Sequence, residues 1–253
     1  MHSGENTYFV TSMIGNNESC PSNEAKIIVV DHEQTETDAI DIDNSMIYII
    51  TPTGALTANN ALTSDNPGHL ILQNGAQLIH DSNGVKATVE KTIEPYTTDE
   101  DGWNFIASPV TESFEPSANN GLLTNNYDLY MFDQSETQEW RNIKAGSFSN
   151  INHKIGYLYA NNTNTTLTFS GTLVATTEPT TLAYDGNAYL KGFSLIGNPY
   201  PCNTTIANDF YIISNNIVTL AENGATIAPC EGVFVKATDT DQTVTFNKAT
   251  STS

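Results

Sequence analysis

The second half of the chain is written twice, and a repeat of short strand-like blocks restricts it to a duplicated β-architecture. Gly102-Trp103-Asn104-Phe105-Ile106-Ala107-Ser108-Pro109 returns as Gly192-Phe193-Ser194-Leu195-Ile196-Gly197-Asn198-Pro199. Tyr127-Asp128-Leu129-Tyr130-Met131-Phe132 returns as Asn208-Asp209-Phe210-Tyr211-Ile212-Ile213. Gly156-Tyr157-Leu158-Tyr159, followed by Thr166-Leu167-Thr168-Phe169, returns as Gly232-Val233-Phe234-Val235, followed by Thr243-Val244-Thr245-Phe246. The blocks keep their order, and the second copy is the more compact. What recurs is strands and turns, with no catalytic constellation among them.

Turn signals such as Asn161-Asn162, Asn198-Pro199 and Asp239-Thr240-Asp241 divide the strands, and no helical period is present. The fold class that follows is all-β. Residues 101–253 form an internally duplicated β-sandwich, jelly-roll-like, with copies at about 101–173 and 191–249. Closing the halves on each other buries the Trp103/Phe193 and Phe169/Phe246 positions. Residues 45–100 hold very short apolar pieces, among them Met46-Ile47-Tyr48-Ile49-Ile50, Leu70-Ile71-Leu72 and Gln77-Leu78-Ile79. Polar turns separate them, which predicts stacked coils or tight hairpins packing on the sandwich. Val85 to Ile93 alternates apolar and polar residues, as a long half-buried strand does. Residues 33–44 read as an acidic linker. Residues 1–32 offer two strands, Thr7 to Met13 and Lys26 to Val30, as the truncated tail of an immunoglobulin-like module would.

The net charge is −20, with only nine Lys plus Arg. That excludes nucleic acid, because phosphate binding needs a basic footprint, and it disfavours anionic membrane surfaces. No apolar run is long enough to span a membrane. Abundant Asn, Thr and Ser with scarce Lys suit an extracellular β-protein. The expectation is a secreted or cell-surface segment of a longer exported precursor.

Of the cysteines, Cys202 and Cys230 stand at predicted strand edges of the second copy. A disulfide between them is one reading and two buried thiols the other; Cys20 has no evident mate. Gly192-Phe193-Ser194-Leu195-Ile196-Gly197 is one residue too long for a nucleophile elbow, and no helix follows it. The histidines lack zinc spacing. Asp41-Ile42-Asp43-Asn44 fails as a calcium loop, since Met46 stands where the turn glycine belongs. Acidic turns remain as calcium candidates, namely Asp99 with Asp101, Asp239 with Asp241, and Asp128 with Asp133. A glycosidase needs two carboxylates across a cleft, and among 29 acids the sequence selects no pair. Trp140 and Tyr184, aromatics in polar stretches, are the candidate ligand contacts; the alternative for Trp140 is a rim residue packed over the sandwich edge.

Several blocks form a set with a resemblance: Gly75-Ala76-Gln77-Leu78-Ile79-His80, Val85 to Val89, Gly102 to Pro109, Tyr127 to Tyr130, Gly156 to Asn161 and Leu195 to Pro199. Over roughly residues 45–249 they resemble a recurrent C-terminal β-rich region of secreted or surface adhesin-like proteins of Gram-negative anaerobes. The resemblance implies an accessory module near the cell surface and brings no catalytic residues. The expected function is a non-catalytic module for adhesion, display or spacing, with an extracellular glycan or protein as partner. The alternative is a carbohydrate-binding jelly roll, with calcium as its candidate cofactor.

Overall fold

The structure, a computed structural model, describes residues 4–9, 13–14, 17–20, 22, 24–98, 101–176, 178–214 and 217–249. It is built of strands with one short 3-10 turn, Ile143–Ala145. β1 (Gly4–Tyr8) is followed by a ribbon of β2 (Met13–Ile14) and β3 (Asn17–Glu18). Then come β4 (Ala25–Val30), β5 (Glu33–Glu36), β6 (Ile40–Ile42), β7 (Met46–Ile50), β8 (Ala55–Ala58), β9 (Leu62–Ser64), β10 (Leu70–Leu72), β11 (Gln77–Ile79) and β12 (Lys86–Ile93).

These short pieces are coils, not hairpins. β4, β7, β10 and β12 pair in parallel, β5, β8 and β11 form a second parallel face, and β6 with β9 a third. Tyr48 pairs with Leu70, Glu33 with Ala55, and Ile40 with Leu62, a step of 22 residues each time. A parallel register stacks like positions, so Val30, Ile50, Leu72 and Val89 form a continuous buried column. Each such side chain contributes about 1.5–3 kcal/mol on burial.

The stack therefore starts at residue 25. Residues 33–44, read from the sequence as a linker, supply β5 and β6, and the strand assigned to an immunoglobulin-like tail is the first rung. The expected Thr7-to-Met13 strand is β1 ending at Tyr8, and Val10 to Ser12 lie outside the described residues. The acidic residues misled because they sit on outward faces: Glu33 and Asp41 are exposed, while Ile40 and Ile42 on either side of Asp41 are buried. Antiparallel strands flank the parallel sheet at both ends, β1 on β4 and β17 (Thr165–Thr172) on β12, and become its edge strands.

The first copy contains β13 (Asn104–Ala107), β14 (Tyr127–Phe132), β15 (Trp140–Asn142), β16 (Gly156–Asn161) and β17 (Thr165–Thr172). β18 (Pro179–Thr181) leads to the second copy: β19 (Phe193–Gly197), β20 (Thr204–Thr205), β21 (Phe210–Ser214), β22 (Ile217–Ala221), β23 (Gly232–Lys236), β24 (Thr243–Thr245) and β25 (Asn247–Lys248). The two sheets have one topology. The order is β13-β16-β14-β15 in the first and β19-β23-β21-β22 in the second, antiparallel throughout.

Strand alternation gives each sheet two apolar faces. Outward faces pack on separate cores. Ile106, Leu129, Tyr157 and Tyr159 join Leu167 and Phe169 of β17 in a core continuous with the coil stack. Ile196, Val233, Val235 and Phe210 join Val244 and Phe246 in the second-copy core. Facing inward, Phe105, Phe132, Trp140 and Leu158 meet Phe193, Leu195, Tyr211 and Phe234. Phe234 is the hub, with ring centroids 4.7 Å from Phe132, 4.8 Å from Phe193, 5.9 Å from Trp140 and 6.1 Å from Phe105.

A local two-fold axis relates the copies. The bridge Ile106–Glu231 is matched by Ile196–Ile155, which joins the equivalent residues in exchanged roles. The Ala107 N–H donates to the Cys230 carbonyl at 3.0 Å, and the Gly197 N–H to the Lys154 carbonyl at 2.9 Å. Lys154 and Cys230 both adopt left-handed backbone, φ 65° and 58°. Positions 156 and 197 beside this axis have no room for a side chain. A Cβ on Gly156 would stand 2.8 Å from the Leu195 Cγ, and one on Gly197 would collide with the Ala107 Cβ.

Candidate functional site

A groove lies where the first-copy edge meets the segment leading into β19. It encloses about 800 Å³ and is walled by Tyr130, Glu136, Gln138, Trp140, Arg141 and Tyr189, among others. Local sequence builds it. Asp133 closes the β14–β15 turn, its carboxylate accepting from the Ser135 N–H at 3.1 Å and hydroxyl at 2.7 Å, while its own N–H donates to the Glu139 carbonyl at 2.8 Å. That turn presents Glu136 to Gln138 to solvent and places Trp140 opposite Phe132 on the next strand.

Two buried polar side chains dock the opposite wall. The Gln134 Oε1 accepts from the Asp185 N–H at 2.7 Å and the Gly192 N–H at 3.0 Å, and its Nε2 donates to the Phe193 carbonyl at 2.9 Å. Glu139 accepts from the Leu190 N–H at 2.9 Å. Neighbouring Tyr189 is thereby held 94% exposed over the groove. The Arg141 guanidinium is anchored by Glu136 and the Ser147 carbonyl, the latter at 3.2 Å.

Trp140 occupies both positions that its sequence leaves open. It is half-buried, with its ring stacked at 28° on Phe234 and edge-on to Phe132, and it also lines the groove. Tyr184 is not brought to it. That ring packs against the second-copy core with the Lys191 ammonium 5.5 Å from its centroid. Tyr189 is the residue that sequence reasoning passed over; it shares the same polar stretch, and nothing local distinguishes the docked tyrosine from the exposed one.

Among the acidic turns, the carboxylates of Asp101, Asp128, Asp133 and Asp239 are hydrogen-bonded locally. Asp101 accepts from the N–H groups of Thr97 and Thr98 at 2.7 and 2.9 Å, and these bonds, with the Thr97 hydroxyl foremost, lower its pKa. Asp239 caps the Thr240 N–H at 2.8 Å, and Asp241 turns the chain at φ 59°. Asp128 pairs with Lys144 at 3.0 Å, and Asp99 lies outside the described residues. Among the described residues no three His, Cys, Asp or Glu side chains converge to hold a metal ion.

The Cys202–Cys230 disulfide is likewise replaced by two thiols. The left-handed turn at Cys230 sends its side chain into the first-copy core, whereas Cys202 sits in the second. Burial pushes both thiols up to about 12, which holds them in the protonated form at neutral pH.

Comparisons with known protein families, curated proteins and solved structures give no match to this chain. Among the described residues, no helix is long and apolar enough to cross a membrane.

Proposed function

We propose that this chain is a non-catalytic extracellular module for adhesion, display or spacing within a larger exported protein, and that it contacts its ligand through the Trp140 groove. The observation that carries the reading is the groove's pairing of aromatic and polar groups. Trp140 and Tyr189 offer apolar faces, and Gln138 and Asn142 stand beside them with hydrogen-bonding amides. Sugars present that same alternation of C–H faces and hydroxyls, which favours the carbohydrate-binding form of this function. The net charge of −20 selects a neutral glycan over an acidic one. The acids in the groove support binding over hydrolysis, because Glu136 is engaged by Arg141 and Glu139 by the Leu190 N–H. The adhesin-like resemblance of residues 45–249 agrees with a surface location.

The test is a glycan-array screen followed by titration calorimetry. Tyr189→Ala removes an almost fully exposed ring and leaves the fold unchanged, so it isolates contact from stability. At least a tenfold loss of affinity is expected, about 1.4 kcal/mol. Unchanged affinity in both Tyr189→Ala and Trp140→Phe would remove the groove as the contact surface. Turnover of any bound glycan would replace the non-catalytic reading.

A further inference from the structure

We infer that β22 is a self-association edge, through which two copies of this chain join their second-copy sheets antiparallel. β22 ends the order β19-β23-β21-β22 and, among the described residues, has a strand partner only on its β21 side. Its sequence, Ile217-Val218-Thr219-Leu220-Ala221, carries no charge, proline or glycine. Proteins blunt such edges with charge, proline or bulges, and none of these is present here. Ile217, Val218 and Leu220 are 65%, 59% and 53% exposed.

The strip continues an interface already in use. Directly opposed residues of an antiparallel pair share a face. Val218 opposes Ile213 and Leu220 opposes Tyr211, and both partners belong to the layer between the two sheets. Val218 and Leu220 therefore extend that apolar layer past the point where the first copy covers it. The counterpart edge, β15, is shorter, carries Arg141 and packs Trp140 inward. The exposed strands β1 and β5 carry Glu5, Glu33 and Glu36.

The uncharged, self-complementary register of the strand fits a second copy. A chain at −20 repels its own copies everywhere that acids are displayed, so pairing requires an uncharged strip. Centred on Thr219, antiparallel self-pairing sets Val218 against Leu220 and Ile217 against Ala221. Every opposed pair is then apolar, or Thr against Thr, with no acid in register. Three exposed apolar side chains per copy fall well short of the roughly 800 Å² per partner in a stable interface, so the dimer is weak in dilute solution. On a crowded surface, high effective concentration makes such weak contacts productive.

The test is sedimentation equilibrium of the full chain from about 10 µM to about 1 mM, a range that resolves weak association. A dimer is expected to emerge with concentration and to strengthen with salt, because screening weakens the mutual repulsion. Slowed hydrogen exchange confined to 217–221 in the concentrated sample locates the contact. Leu220→Lys is expected to weaken association at least tenfold with unchanged circular dichroism; Val218→Lys serves as the second variant should the first fail to fold. A monomer across the range in high salt, or a dimer indifferent to the lysine variant that folds, overturns the inference.

Discussion

Phe234→Ala tests whether the aromatic layer holds the two copies together. Phe234 is 8% exposed and packs against four rings: Phe105, Phe132, Trp140 and Phe193. Truncating a buried phenylalanine costs about 3–5 kcal/mol in transfer and cavity terms. Because the four rings come from both sheets, their collapse into the void requires the sheets to shift, which places the expected cost near 4 kcal/mol. In a chain of this size that lowers Tm by about 8–16 °C. Phe234→Leu keeps most of the volume and loses ring geometry, for about 1–2 kcal/mol. The assay is urea unfolding followed by tryptophan emission, with Trp140 reporting from its stack on the substituted ring. Phe246→Ala, fully buried in the second-copy core, is the control. It should destabilise comparably but leave native Trp140 emission unshifted. A cost below about 1 kcal/mol for Phe234→Ala, with native emission unchanged, would refute the claim that this layer joins the copies.

Two further outcomes follow from buried groups. Cys20 is exposed and the other two thiols are buried, so a thiol reagent should label one cysteine in the native protein and three after unfolding; a total of one would restore the disulfide. Burial, helped by the Lys248 ammonium, lowers His80 from its ordinary 6.5 to about 4. The unfolded chain binds the proton more readily, so this contribution is complete above pH 6.5 and is lost as pH falls toward 4, by up to about 3 kcal/mol. His80→Gln should flatten urea stability between pH 7 and 4.5 relative to the parent, and an identical slope in both proteins would dismiss the effect.

The architecture was legible wherever it is local. Period-two alternation over most of Val85 to Ile93 writes a strand directly, and recurrence of the blocks announces two like sheets. The coil stack was half legible. Its pieces read as strands, but three strands per coil divide a 22-residue step into unequal parts, so the period is hidden until parallel register aligns them. Glu33 and Asp41 then read as a linker, although each lies on the outer face of a rung.

By itself, then, the sequence determined the all-β class, the duplication and the acidic surface, because strand patterning and charge are properties of neighbouring residues. Only the tertiary structure decided how the copies meet. The two-fold arrangement depends on Gly156, Gly197 and the left-handed turns at Lys154 and Cys230 approaching from positions far apart in the chain. The same long-range packing separated Cys202 from Cys230, docked Tyr184 while exposing Tyr189, and left β22 uncovered where its counterpart β15 is packed. Which side of a strand finds a partner depends on what folds against it, and local pattern carries no record of that.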